Sequence, residues 1–225
     1  MKKYELTAEF IEKWGKKLFR IKALIGFGSV EAGELGGYVE KEDNLAQNGN
    51  AWVYDDAEVY GNAWVYGNAR VCGNAEVYGN ARVCGNAEVY GNAWVCGNAE
   101  VYGNAWVYDN ARVYGDARVY DNARVCGDAR VCGDAWVCGD ADYLLIGRIG
   151  SRFGFTTFFK NKEKGITVSC GCFLGTIAEF RAKVTDTHGD NKHAKMYNMA
   201  ADMAELQILG EEHFDKLNTN KSEPF

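Results

Sequence analysis

Gly61-Asn62-Ala63-Trp64-Val65-Tyr66 is followed at once by Gly67-Asn68-Ala69-Arg70-Val71-Cys72, and the pattern runs on unbroken in both directions. From Gly49 to Leu144, 96 residues fall into sixteen hexads of consensus Gly/Asp-Asn/Asp-Ala-x-Val-Tyr/Cys, without an insertion or deletion. Ala and Val stand two apart, so on an extended backbone they share one face, while x and the Tyr or Cys point the other way. The Gly-Asn pair supplies a bend where positive φ costs little. Each hexad therefore reads as a four-residue strand and a two-residue corner. A meander of hairpins would satisfy the same turn chemistry, but it leaves the Ala/Val face buried against nothing. Coiling three hexads per turn closes a triangular prism around the Ala/Val columns, with coils at roughly 4.8 Å spacing. The coil is the favoured reading and the meander its alternative.

The pairing of an aliphatic residue with a small one two positions earlier, Val65 with Ala63 and Val71 with Ala69 through Val137 with Ala135, resembles the hexapeptide-repeat family. That resemblance implies a mainly β protein: a single-stranded left-handed parallel β-helix of about five triangular coils, with an N-terminal cap and a C-terminal α+β segment. An eighteen-residue coil stacks the outward positions in columns. The x columns read Trp52, Arg70, Glu88, Trp106, Arg124, Asp142; then Glu58, Glu76, Trp94, Arg112, Arg130; then Trp64, Arg82, Glu100, Arg118, Trp136. Arg70 over Glu88, and Arg82 over Glu100 over Arg118, put opposite charges on neighbouring coils. The repeat cysteines fall among tyrosines, never directly above one another, and Cys126, Cys132 and Cys138 lie on three different faces of one coil. That arrangement suits free thiols better than disulfides. Five Trp and nine Tyr on the outside of a rod exceed what a lone prism shows, so a terminal segment, a second subunit or a ligand is expected over some of them.

The chain has 27 glycines and one proline, which fits a regular framework, and a net charge of −6 that disfavours general nucleic-acid binding. No apolar run approaches the ~20 residues of a membrane span, and the first residues lack a signal-peptide core. A cytoplasmic protein, in a bacterial host, is the expectation.

Residues 1–48 are expected to cap one end with a short helix around Thr7–Leu18 and strands at 18–24 and 33–39, residues 49–144 to form the solenoid, and residues 145–225 to form the other end. There Phe155–Lys160 and Ile166–Cys170 read as a hairpin, Thr176 with Glu179 as a capping box opening a helix, and 192–209 as a second helix. The tail after Lys216 reads as disordered. The flanking segments Arg20-Ile21-Lys22-Ala23-Leu24, Leu35-Gly36-Gly37-Tyr38, Gly150-Ser151-Arg152 with Thr156-Thr157-Phe158, Cys170-Gly171-Cys172-Phe173 with Gly175-Thr176, and His188-Gly189-Asp190-Asn191 resemble hexapeptide-repeat proteins carried by phages and prophages of low-GC bacteria.

Many hexapeptide proteins are acyltransferases, and the resemblance then implies a catalytic histidine near a coil. Here the sixteen hexads hold no histidine; His188, His193 and His213 all lie beyond them. A general base must reach the acceptor, so acyl transfer through His188 or His193 is the alternative reading. Cys170, Cys172, His188 and His193 are the right ligand types for zinc, at poor spacing. The main expectation is a non-enzymatic, cofactor-free β-solenoid that binds or scaffolds. It is expected to self-associate as a trimer or dimer and to hold an unknown protein or nucleotide-like ligand, with no membrane role. The ligand or partner surface is assigned to Trp106, Arg112, Arg118, Arg124, Arg130, Trp136, Arg148 and Arg152, where the late arginine-rich coils meet the C-terminal segment.

Overall fold

A computed structural model describes residues 2–211. Strands β1 (Tyr4–Lys13), β2 (Lys16–Ala23) and β3 (Leu35–Val39) precede fifteen two-residue strands, β4 (Trp52–Val53) to β18 (Trp136–Val137), each the x-Val of one hexad. Residues eighteen apart pair in parallel register, as in Trp94↔Arg112↔Arg130 and Trp64↔Arg82. The chain is thus a hexapeptide-type left-handed β-solenoid. Its three flat faces carry β4-β7-β10-β13-β16, β5-β8-β11-β14-β17 and β6-β9-β12-β15-β18. Five full coils are preceded by a partial sixth, in which Tyr38–Val39 lies over Glu58–Val59 and Leu45 over Val65.

The hexad chemistry accounts for this geometry. Nearly every repeat Ala and Val is fully buried, and inter-coil bonds such as Trp64 N–H to the Ala81 carbonyl (2.9 Å) and Tyr66 N–H to Val83 (3.0 Å) close the ladder. At the corners most glycines sit near φ +70°. A Cβ on Gly85 would meet the Gly103 backbone at 2.9 Å. The asparagines beside them form side-chain ladders, Asn50 donating to Asn68, Asn68 to Asn86 and Asn86 to Asn104 at 3.0–3.1 Å. Two of the three aspartates that replace a corner glycine use the carboxylate, Asp55 accepting from Gly73 N–H at 3.0 Å and Asp109 from Gly127 N–H at 3.2 Å. All eight cysteines are free thiols.

The N-terminal segment differs from expectation, because Thr7–Leu18 forms no helix. Trp14 and Gly15 both take positive φ, 53° and 73°, which is the two-residue hairpin geometry. It folds β1 back on β2 with Lys13 opposite Lys16. The hairpin extends the Glu58 face, where Lys13 bridges the stacked carboxylates of Glu58 and Glu76. Tyr4 and Phe27 cover Trp52, ring centroids 6.0 and 5.3 Å away, so this outward tryptophan is fully buried. The sixteenth hexad, 139–144, also leaves the ladder. It offers Tyr143 in the inward position instead of valine, and residues 140–142 turn in a 3-10 helix that leads into β19.

Beyond it, β19 (Tyr143–Ile149), β20 (Gly154–Lys160), β21 (Ile166–Cys170) and β22 (Phe173–Thr176) form an antiparallel sheet. Helices α1 (Ile177–His188) and α2 (Lys192–Leu209) pack on it. Thr176 and Glu179 form the expected capping box. Phe158, Phe180, Val168 and Ala201 are the centre of this second core, while Phe159 joins the solenoid core. The tail after Lys216 lies outside the described residues. Among the described residues no helix is long and apolar enough to cross a membrane.

Candidate functional site

The C-terminal sheet caps the open end of the last coil, where Phe159 enters the solenoid core, and the segment folds back in part along the Glu58 face. Thr157 Oγ1 accepts from Arg130 N–H at 3.0 Å, and Lys162 N–H donates to the Asp134 carbonyl at 3.1 Å. Asp142, 6% exposed, accepts from Cys138 N–H (2.9 Å), Cys138 Sγ (2.8 Å) and Lys160 Nζ (2.9 Å). Burial alone pushes the Asp142 carboxyl up, but these donors overcome it and hold it below the usual carboxylate range.

Between the solenoid face and this folded-back segment lies a cavity of about 840 Å³. One wall is the ladder Trp94, Arg112 and Arg130, and the other includes Arg152, Lys183 and His188. The Arg112 guanidinium lies over the Trp94 ring, 4.4 Å from its centroid. Arg130 stands directly beside Arg112 on the next coil, about 4.8 Å away. Three other ladder arginines meet a carboxylate, Arg70 reaching Glu88 at 3.9 Å and Arg82 and Arg118 reaching Glu100 at 3.7 and 3.5 Å, while Arg124 stacks alone on Trp106. Two stacked arginines repel unless an anion lies between or before them, which makes this wall suited to a ligand carrying phosphate or carboxylate.

His188 ends α1 and is held from both sides. Gly189 N–H donates to Thr185 and Asn191 N–H to His188 itself, while the Asn191 side chain caps α2 by accepting from His193 and Ala194 N–H. The His188 ring stacks on Tyr197, centroids 5.8 Å apart at 27°. Burial, and then the neighbouring Cys170, push the Tyr197 phenol up, keeping it a neutral donor. Gly150 (φ +73°) is what lets Tyr197 in, since a Cβ there would lie 1.9 Å from the phenol oxygen.

The surface assigned from sequence is divided by the coil. Arg112, Arg130 and Arg152 line the cavity. Arg124 lies over Trp106 at 4.8 Å on the Trp52 face, and Arg118 over Trp136 at 5.6 Å on the Trp64 face. Arg148 is exposed on β19 at φ +55°. Successive hexads point to successive faces, so only residues eighteen apart converge. Cys170, Cys172 and His188 all border the cavity, but His193 does not; its ring lies 5.8 Å from that of His188, and its buried Nδ1 has no partner. Among the described residues no group of three or more His, Cys, Asp or Glu is arranged to hold a metal. Thr156 Oγ1 instead donates to Cys170 Sγ at 3.1 Å. Sequence reading missed Trp94, Lys183 and Tyr197. For Trp94 the signal was its column, shared with Arg112 and Arg130; for the other two nothing in the sequence placed them at the coil.

Fold and cavity together define a hexapeptide-repeat β-solenoid with a recessed, cationic pocket that includes a histidine. A family model described as the YdcK beta solenoid repeat matches residues 81–97, 105–121, 111–125 and 123–139. The chain is also 41% identical over 63 residues to a protein of Escherichia coli (strain K12) named "Uncharacterized acetyltransferase YdcK". That match covers 24% of this chain and 19% of the relative's length. The likeness overturns the expectation of a non-enzymatic binding or scaffold protein. The objection that kept acyl transfer second, a solenoid without histidine, also loses its force, because α1 brings His188 to a cavity walled by the coils.

Proposed function

We propose that the chain is an acyltransferase of the hexapeptide class, with the cavity on the Glu58 face as its site and His188 as its general base. The observation that carries the reading is the folding back of the C-terminal segment, which makes a histidine and a solenoid ladder two walls of one cavity. The relative's name gives the reaction class. Arg112, Arg130, Arg152 and Lys183 would neutralise the phosphates of an acyl-CoA donor. His188 would take the proton from an acceptor hydroxyl or amine as that group attacks the thioester carbonyl; collapse of the tetrahedral adduct then breaks the C–S bond, and the CoA thiolate leaves with the proton returned by His188. Tyr197, stacked on its ring, fixes the imidazole's orientation. The cavity volume is within the range that encloses most of a small ligand.

The test is release of free CoA from acetyl-CoA, followed by chromatography across a panel of amine and hydroxyl acceptors. Wild-type protein should turn over, and His188→Ala should lose about 10²–10⁴-fold while its melting temperature is kept. Turnover that survives in His188→Ala sinks the assignment of the base. No CoA release with any acceptor, together with no thermal shift on adding CoA, sinks the acyltransferase reading itself.

A further inference from the structure

Helix α2 has two apolar faces, and among the described residues only one is covered. Ala194, Ala201, Ala204 and Ile208 are buried against the second core. On the opposite side Met196, Met199, Met203 and Leu206 are exposed by 39%, 65%, 56% and 45%. Their spacing of 3, 4 and 3 is that of a helix-pairing seam, and a helix packed on its domain by one face has no internal need of a second. We propose that this outer stripe is a self-association surface on which a second copy of the chain packs its own α2 antiparallel.

Two features commit the stripe to that occupant. The first is self-complementarity. About a two-fold axis between Met199 and Met203, Met196 meets the second copy's Leu206 and Met199 its Met203, so every apolar residue of the stripe faces another, the isologous pattern of a two-fold dimer. The second is charge. The first turn of α2 holds no acid and the last turn no base; Lys192 and Lys195 stand near the N-terminus, with Asp202, Glu205 and then Glu211 toward and beyond the C-terminus. For a lone helix this opposes the macrodipole. In an antiparallel pair each lysine end lies beside the other copy's carbonyl end and Glu211, and the arrangement becomes favourable. Asp202 is already neutralised by Arg181 at 2.8 Å, so it does not repel its counterpart near the axis. Arg181 also binds Glu205 at 2.7 Å. Pairing of α2 would therefore brace α1 and the wall that holds His188.

Sedimentation equilibrium of the full chain reads the outcome. Wild type should behave as a dimer at micromolar concentration, and Met199→Glu/Met203→Glu as a monomer with unchanged circular dichroism and melting. Lys192→Glu/Lys195→Glu, which leaves the apolar stripe intact, should weaken the dimer roughly tenfold, the change expected from losing exposed pairs at both ends. A wild-type monomer at 100-fold higher concentration, or a dimer that survives the double methionine substitution, overturns the proposal. A dimer indifferent to the lysine substitutions overturns the antiparallel arrangement.

Discussion

Replacing Asp142 with asparagine removes one charge from the seam between the last coil and the C-terminal sheet and leaves the side chain's outline nearly unchanged. The native carboxylate accepts three bonds of 2.8–2.9 Å, two from Cys138 and one from the Lys160 ammonium. Its side chain is 9% exposed. Hydrogen bonds to a charged group are worth about 1.5–3 kcal/mol each. An amide keeps an acceptor for one or two of the donors, and Lys160, 32% exposed, recovers part of its loss from water. The expected net cost at pH 7 is about 2–3 kcal/mol, read as a lower urea midpoint at unchanged m-value. Because the folded carboxyl titrates below its usual range, its stabilisation is complete above the ordinary aspartate pKa of about 4 and fades as pH falls through the lower folded value. The gap between wild type and Asp142→Asn should therefore narrow as the pH falls below the ordinary aspartate range. A gap under about 0.5 kcal/mol at pH 7, or one as large in acid as at neutrality, would refute the account of this seam.

Gly85→Ala should cost about 2–4 kcal/mol, since it pairs a left-handed φ of +69° with a Cβ 2.9 Å from the Gly103 backbone. Gly139→Ala, which meets nothing within 4 Å, should melt within a degree or two of wild type. Gly150→Ala should displace Tyr197 and lower CoA-releasing activity at least tenfold with a smaller effect on melting; equal activity would remove Tyr197 from the site. Burial lowers the Lys3 ammonium, which donates to the Ala51 carbonyl at 2.9 Å, to about 8. A cation depressed on folding destabilises while protonated, so stability should rise from pH 8 towards 10, and this slope should vanish in Lys3→Met. Above pH 10 the trend should reverse, because the Cys84 thiol and then burial push Tyr66, and burial pushes Tyr114, up to about 12, and the unfolded chain ionises first.

The solenoid was legible because six-residue periodicity fixes both the buried face and the corner, and an eighteen-residue coil fixes which side chains stack. Ion pairs such as Arg82 with Glu100 follow from that arithmetic, as does the fate of Trp94, Arg112 and Arg130 as one column. What the arithmetic does not contain is where a non-repeating segment docks. Trp14-Gly15 carried a hairpin signal, yet the charged run around it reads equally well as helix until β2 supplies a partner. The same holds at the other end. The strands and helices of 154–209 were readable from local signals, but their docking on the last coil depends on tertiary bonds such as Arg130 to Thr157 and Lys160 to Asp142. His188 shows the difference: in one dimension it is distant from every hexad, and in three dimensions it lies opposite one.

The same coil that stacks side chains also works as a protractor. Each hexad advances the chain by a third of a turn, so the number of hexads between two attachments sets the angle between them. In this chain the N-terminal hairpin and the arginine-walled cavity are anchored on one face, through β5 and β8 at one end and β11, β14 and β17 at the other. Loss or gain of eighteen residues between them would shorten or lengthen the rod and preserve that alignment. Loss of six would swing one end by 120° about the axis and re-pair the side chains stacked across the deletion, while the Ala/Val core and the corners stay in phase. Length changes in this molecule are therefore quantised, and the number of hexads, taken modulo three, is a functional quantity.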